Sequence, residues 1–206
     1  MTATAPTGTT TGYSPLSKAI HWIMAAFVLA IIPIGLTMTR LPPGKLQDNL
    51  FFVHESFGAT ILALACIRVA VRLIRGVPAP YPGLEPWQRI AAAASHHLLY
   101  VLIFVVPLLG WAGASAYRSA ISVYGVFELP PILPVNKPVA ETIFIVHIAA
   151  AYLMTAVVAL HIGAALMHGF VKRDGVLGRM LPEGWGDRLT MPVAARREDR
   201  RAQRST

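Results

Sequence analysis

Charge and cysteine are what this sequence has least of. Only 14% of its 206 residues are Asp, Glu, Lys or Arg, while 55% are hydrophobic. A soluble domain carries about 25% charged residues, so this chain is too poor in charge to cover a water-facing surface. Its one cysteine, Cys66, lies inside an apolar run. That excludes a disulfide within the chain and leaves Cys66 as an expected core residue. Acidic residues number 10 against 18 basic ones. An excess of +8 would suit nucleic acid, but the basic residues gather at the borders of apolar runs and in the C-terminal tail, so nucleic acid is set aside as a partner. No short apolar segment with a small-residue cleavage site precedes the first long run, so no cleavable signal peptide is expected. No internal repeat is evident. What the chain does have is length without polarity, with a mean hydropathy of +0.56. It reads as an integral membrane protein whose first partner is the lipid bilayer.

A membrane helix needs about 20 predominantly apolar residues, and four runs meet that length: Leu16–Met38, Leu50–Leu73, Trp87–Tyr117 and Pro138–Val171. The expected fold is all-α, an integral membrane four-helix bundle over residues 16–175. A disordered tail over 1–15 precedes it and a basic tail over 176–206 follows it. Ser14 or Ser17 is placed to cap the first helix, and Pro33 to kink it. Residues 119–137, which include PPILP, read as a connecting loop. Lys and Arg set the orientation. Fourteen of the 18 fall on one side: Lys18, Arg68, Arg72, Arg75, Arg89 and all those from Lys172 onward, including Arg188, Arg196, Arg197, Arg200, Arg201 and Arg204. Arg40, Lys45, Arg118 and Lys137 fall on the other. Both termini are therefore expected on the cytoplasmic side.

The fourth run carries three histidines, His147, His161 and His168. Histidine in a bilayer is costly without a partner or a task. His147 and His161 are 14 residues apart, close to four helical turns, so they share a face. Along the axis they lie about 21 Å apart. Depth supplies partners: His54 toward the outer end of the second run for His147, and His21 toward the inner end of the first for His161. Two imidazoles on facing helices, without Cys, Asp or Glu in register, suit axial ligation of haem iron better than zinc, which wants further ligands at the same height. Two strong axial ligands leave iron no open position, so the chemistry is electron transfer.

Three spacings accompany these pairs. Gly35 follows His21 by 14 residues, and Gly58 follows His54 by one turn; at either, a missing side chain lets a macrocycle pass the helix. Glycine in membrane helices equally serves plain helix packing. Arg68 follows His54 by 14 residues and faces inward at inner depth, where it either pairs a haem propionate or snorkels to the headgroups. Trp22, Trp87 and Trp111 suit interfacial or packing positions.

The segments YSPLSKAIHW (13–22), VHESFGATILALACIRVAVRLI (53–74), HHLLYVLIFVVPLLGW (96–111) and VHIAAAYLMTAVVALHIGAALMHGFVKRDGVLGRMLP (146–182) resemble the bacterial cytochrome b561 family of four-helix membrane di-haem cytochromes. They include every span. The resemblance implies two haem b groups per chain with His21, His54, His147 and His161 as ligands, in a bacterial inner membrane. It also implies oxidation of superoxide on the periplasmic side with electrons passed to ubiquinone. Under it, Arg118 and Lys137, with Arg40 and Lys45, are the outer residues placed to steer a small anionic donor. His97, His168 and Arg68 are placed to bind or protonate a quinone. For His97 and His168, interfacial hydrogen bonding or a propionate contact is the simpler role, and His96 has none assigned. Two other functions stand beside the oxidoreductase: a haem-b relay anchoring a partner dehydrogenase or hydrogenase, and a small transporter or scaffold without haem. The longer N-terminal tail, the loop 119–137 and the tail after Pro182 depart from the family.

Overall fold

The computed structural model describes residues 12–79, 83–182 and Trp185. It contains four long helices: α1 (Pro15–Met38), α2 (Lys45–Arg75), α3 (Pro86–Tyr117) and α4 (Lys137–Leu166). All four are long and apolar enough to cross a membrane. The protein is an all-α membrane four-helix bundle.

Helices α1, α3 and α4 start where the sequence supplies a cap. Ser14 Oγ accepts from Ser17 N at 3.2 Å, with Pro15 at the first helical position. Glu85 and Gln88 close a capping box on α3, and Asn136 Oδ1 accepts from Val139 N on α4. Helix α2 begins at Lys45, earlier than its apolar run at Leu50. Hydropathy marks the span, but the polar KLQDN turn is helical too. Gln47 Nε2 ties that turn to the end of α1 by donating to the carbonyls of Met38 and Leu41 at 3.0 and 2.9 Å.

One core cluster joins the four helices: Met24 and Val28, Ile61 and Ala65, Leu102, and Met154 and Val157. It lies between the two histidine depths. Outward faces stay apolar and uncovered, as at Leu160 and Val171. Cys66 belongs to such a face. It is exposed, not core, because lipid accepts an apolar side chain as readily as a protein interior does.

Two segments expected to be irregular are built. Within 119–137, strands β1 (Ile121–Val123) and β2 (Phe127–Leu129) pair antiparallel, with Val123 opposite Phe127. The turn takes positive φ at Tyr124 (52°) and Gly125 (69°), as a type I′ turn requires. This hairpin is pinned to α2. The fully buried Ser56 hydroxyl accepts from Tyr124 N at 3.0 Å and donates to Ser122 O at 3.4 Å, and Thr60 Oγ1 meets Tyr124 OH at 2.7 Å. At the other end of the bundle, α4 widens into a π-helical turn (Met167–Lys172), followed by a 3-10 helix (Leu177–Met180). Met180 O accepts from Trp22 Nε1 at 2.8 Å, and the Arg179 guanidinium lies 5.9 Å from the Tyr13 ring. Residues 13–15, expected in the disordered N-terminal tail, are thereby placed, as is the start of the C-terminal tail. The remainder of both tails, 1–11, 183–184 and 186–206 with its arginines, lies outside the described residues.

Candidate functional site

The four helices bring the histidines together in two pairs, one toward each end. At the hairpin end, the rings of His54 on α2 and His147 on α4 are 6.3 Å apart between centroids, at 80° to one another. At the tail end, His21 on α1 and His161 on α4 are also 6.3 Å apart, at 74°. That distance has a chemical meaning. A metal–imidazole nitrogen bond is about 2.0–2.1 Å, and a ring centroid lies about 1.1 Å behind its nitrogen; two imidazoles on opposite sides of one metal therefore have centroids about 6.3 Å apart. Among the described residues no three His, Cys, Asp or Glu side chains converge on a metal-sized site. Two axial nitrogens without a third donor suit a metal whose remaining ligands come from a macrocycle.

The hairpin-end pair is prepared by its surroundings. His147 Nδ1 lies 2.9 Å from Val106 O. A carbonyl only accepts, so Nδ1 carries the proton and Nε2 keeps its lone pair, the tautomer a metal ligand needs. His54 Nδ1 is buried with no partner among the described residues. Gly35 lets that ring sit against α1: a Cβ there would lie 3.0 Å from His54 Cε1 and 3.3 Å from Nδ1. Gly110 does the same for His147, with a Cβ 3.3 Å from its Cε1. Gly35 thus clears an imidazole, where its spacing had implied clearance of a macrocycle. Gly58 opens onto free space, with nothing within 4 Å of a Cβ. Gly110 had no signal in the sequence, because its meaning depends on which face of α3 meets α4.

At the tail end, His96 joins the pair, its ring 5.4 Å from that of His161. Arg68 reaches inward. Its Nε donates to Tyr100 OH at 3.1 Å and its Nη1 to Ser17 O at 3.4 Å, one turn from His21. The Arg72 guanidinium lies 5.3 Å from the same Tyr100 ring. His97 is not drawn in. It is exposed, and its Nδ1 donates to Ala93 O at 2.7 Å. His168 is buried and held by Asp174, with Nδ1 to Oδ2 at 2.5 Å, while Asp174 Oδ1 accepts from Val176 N. Gly169 allows the chain to fold back there, since a Cβ would lie 2.4 Å from Leu177 Cδ2. His168 thus joins α4 to the segment that follows it.

Of the expected steering residues, Arg118 caps α3 in the left-handed region (φ 71°), and Lys137 begins α4 with its Nζ 5.5 Å from the Tyr117 ring. Both lie at the hairpin end. Arg40 is occupied there by Leu36 O and, at 3.5 Å, by Tyr152 OH.

Residues 12–183 match the prokaryotic cytochrome b561 family pattern. The chain belongs to that family. It is 31% identical to cytochrome b561 homolog 2 of Escherichia coli (strain K12) over 185 residues, 88% of this chain and 97% of the relative. It is 29% identical to the probable superoxide oxidase CybB of Yersinia pestis over 174 residues, 84% and 98% of the two chains. It is also 29% identical to cytochrome b562 of Cereibacter sphaeroides over 178 residues, 82% and 95%. Membership makes this a bacterial membrane cytochrome of electron transfer, and haem b is the group the family implies. The residues present fit it. The paired imidazoles are spaced for a shared metal, His147 is held in the ligand tautomer, an unpartnered buried nitrogen sits on His54, and glycine makes room for each ring of that pair.

Proposed function

We propose that this cytochrome holds two haem b groups, one between His54 and His147 and one between His21 and His161, and moves electrons from superoxide at the hairpin end to ubiquinone in the membrane. The 6.3 Å spacing common to both pairs carries the reading. His54 with His147 and His21 with His161 would hold haem b, which would supply one-electron transfer there.

The chain's own groups do the remainder. The Val106 carbonyl holds the His147 ring in orientation and tautomer. Arg68 offers a carboxylate such as a propionate a planar, charged donor set beside the inner pair. Arg118 and Lys137, with Lys45, raise the local concentration of a small anion at the hairpin end. Two superoxide ions lose one electron each and leave as O2; one ubiquinone accepts both electrons and two protons and leaves as ubiquinol. For the quinone oxygens, the tail end offers the Arg68 N–H groups; His97, whose Nδ1 donates to Ala93 O, keeps its other nitrogen as an acceptor for a quinol hydroxyl. His168 is buried and committed to Asp174. The hairpin end is read as periplasmic and both termini as cytoplasmic in the inner membrane, supported by the fourteen-to-four distribution of Lys and Arg. The Yersinia pestis relative, named a probable superoxide oxidase, supports the choice of donor.

A reduced-minus-oxidised spectrum with a haem-to-protein ratio near two tests the cofactor. Purified protein supplied only with superoxide and ubiquinone should then form ubiquinol near the diffusional ceiling, about 10⁸–10⁹ M⁻¹s⁻¹. Inertness alone, with stable co-purification of a dehydrogenase or hydrogenase, would replace this reading by that of a relay anchor. Absence of a Soret band would end both.

A further inference from the structure

The hairpin end also holds a groove that shares only Arg118 with the donor's approach. It is a half-open groove of about 380 Å³ between the last turns of α3, the hairpin and the proline-rich segment before α4, with Trp111, Ser115, Arg118, Glu128, Leu129 and Leu133 among its walls. Small-molecule sites span about 300–1,000 Å³, and one water takes about 30 Å³, so the space suits an organic group and not a single ion.

The walls are fixed. Trp111 Nε1 donates to Pro130 O at 2.9 Å, Ile132 N donates to Ser115 Oγ at 3.2 Å, and that hydroxyl donates to Trp111 O at 2.8 Å. Asn136 N closes the far side on Ala116 O at 2.9 Å. The hairpin wall is pinned by Ser56 and Thr60. A ligand would meet a preformed site, without the cost of ordering a loop.

Its charges are two and opposite, Arg118 and Glu128. Both are exposed, and neither side chain makes an ion pair or hydrogen bond among the described residues. The other lining residues are apolar or serine. One cation and one anion, unpaired within an apolar-walled cavity beside a span end, match a zwitterionic headgroup. A bare anion would use Arg118 alone, with Glu128 opposing it; an anionic lipid would meet the same opposition. A trimethylammonium has no N–H for the carboxylate, whereas a primary ammonium has three. We propose that this cavity binds the headgroup of a zwitterionic phospholipid carrying a primary amine, its phosphate on Arg118 and its ammonium on Glu128. The proposal is independent of the haem reading; it shares Arg118 with the superoxide reading, and lipid retention is measured apart from any superoxide rate.

Native mass spectrometry of the full, haem-loaded protein tests it, with short-chain phosphatidylethanolamine, phosphatidylcholine and phosphatidylglycerol added in turn. Wild type should retain one phosphatidylethanolamine with a preference of about tenfold over the other two, the worth of one charge-assisted hydrogen bond. Glu128→Gln should erase the preference over phosphatidylcholine, and Arg118→Gln should lose all three. Leu133→Trp, which fills the cavity and leaves its charges, should also lose them. Unchanged Soret spectra certify each variant's fold. Equal retention of the three lipids by wild type, or a preference that survives Glu128→Gln, overturns the proposal. So does free phosphoethanolamine displacing the lipid at equal concentration, which would mark a site for a soluble ligand.

Discussion

Replacing Gly35 by alanine tests the hairpin-end histidine pair with one carbon atom. The added Cβ would lie 3.0 Å from His54 Cε1 and 3.3 Å from Nδ1. Carbon atoms are comfortable at about 3.5–4.0 Å, so the ring must retreat by about half an ångström or α1 must move. The ring cannot retreat freely. It faces His147 with ring centroids 6.3 Å apart, the spacing two imidazoles sharing one metal would need, and His147 is itself held by the Val106 carbonyl. Overpacking of this size costs about 1–3 kcal/mol, which corresponds to a fall of about five- to 150-fold in the affinity of the outer site for its haem. If two haems are held as proposed, Gly35→Ala should therefore purify with a haem-to-protein ratio falling from two toward one, and with the hairpin-end component of the reductive titration shifted or missing. The tail-end component should stay, because His21 and His161 lie at the opposite end. Pyridine haemochromogen assay with redox titration reads both quantities. Full stoichiometry with an unchanged titration would refute the claim that Gly35 exists to seat the His54 ring. An equal loss of both haems would point to a general failure of α1 packing.

Gly110→Ala should act in the same direction but more weakly, since its Cβ would lie 3.3 Å from His147 Cε1, and the same haem assay compares the two. His54→Ala or His147→Ala should remove one haem and spare the other, as should His21→Ala or His161→Ala at the opposite end, read from difference spectra of each variant. Asp174→Ala leaves the buried His168 Nδ1 without its partner and should lower stability by about 1–3 kcal/mol, seen as earlier thermal loss of the Soret band with no change in initial haem content. Lys137→Gln should lower the second-order rate with superoxide and flatten its dependence on ionic strength, because an exposed charge steers through a field that salt screens within about 8–10 Å; a rate indifferent to both salt and the substitution would remove Lys137 from the donor's approach.

Much of the bundle was legible before any coordinates. Twenty apolar residues in a row admit few structures in a membrane, so the four spans and their order followed from composition, and Ser14 was one of two serines placed to cap the first. The pairing of histidines by depth was legible for a related reason. An α-helix converts a spacing of 14 residues into a shared face and a fixed rise, so His147 and His161 had to lie at different depths on one side of α4. Other features were not legible, because hydropathy does not distinguish lipid from protein interior. Cys66 looked like core and faces outward. His168 looked unclaimed, since its partner, Asp174, becomes a neighbour only when the chain folds back over Gly169.

The sequence by itself determined the class of protein, the number of spans and which imidazoles share a depth, because these depend on counts and periods along one chain. Tertiary structure decided what depends on two elements meeting. It set the 6.3 Å between facing rings, the glycines that make room for them and the Val106 carbonyl that selects a tautomer. It also set the hairpin that Ser56 holds and the cavity where Arg118 and Glu128 stand apart. No spacing within a single helix contains the distance between two of them; that distance is fixed by which small residues let the backbones approach.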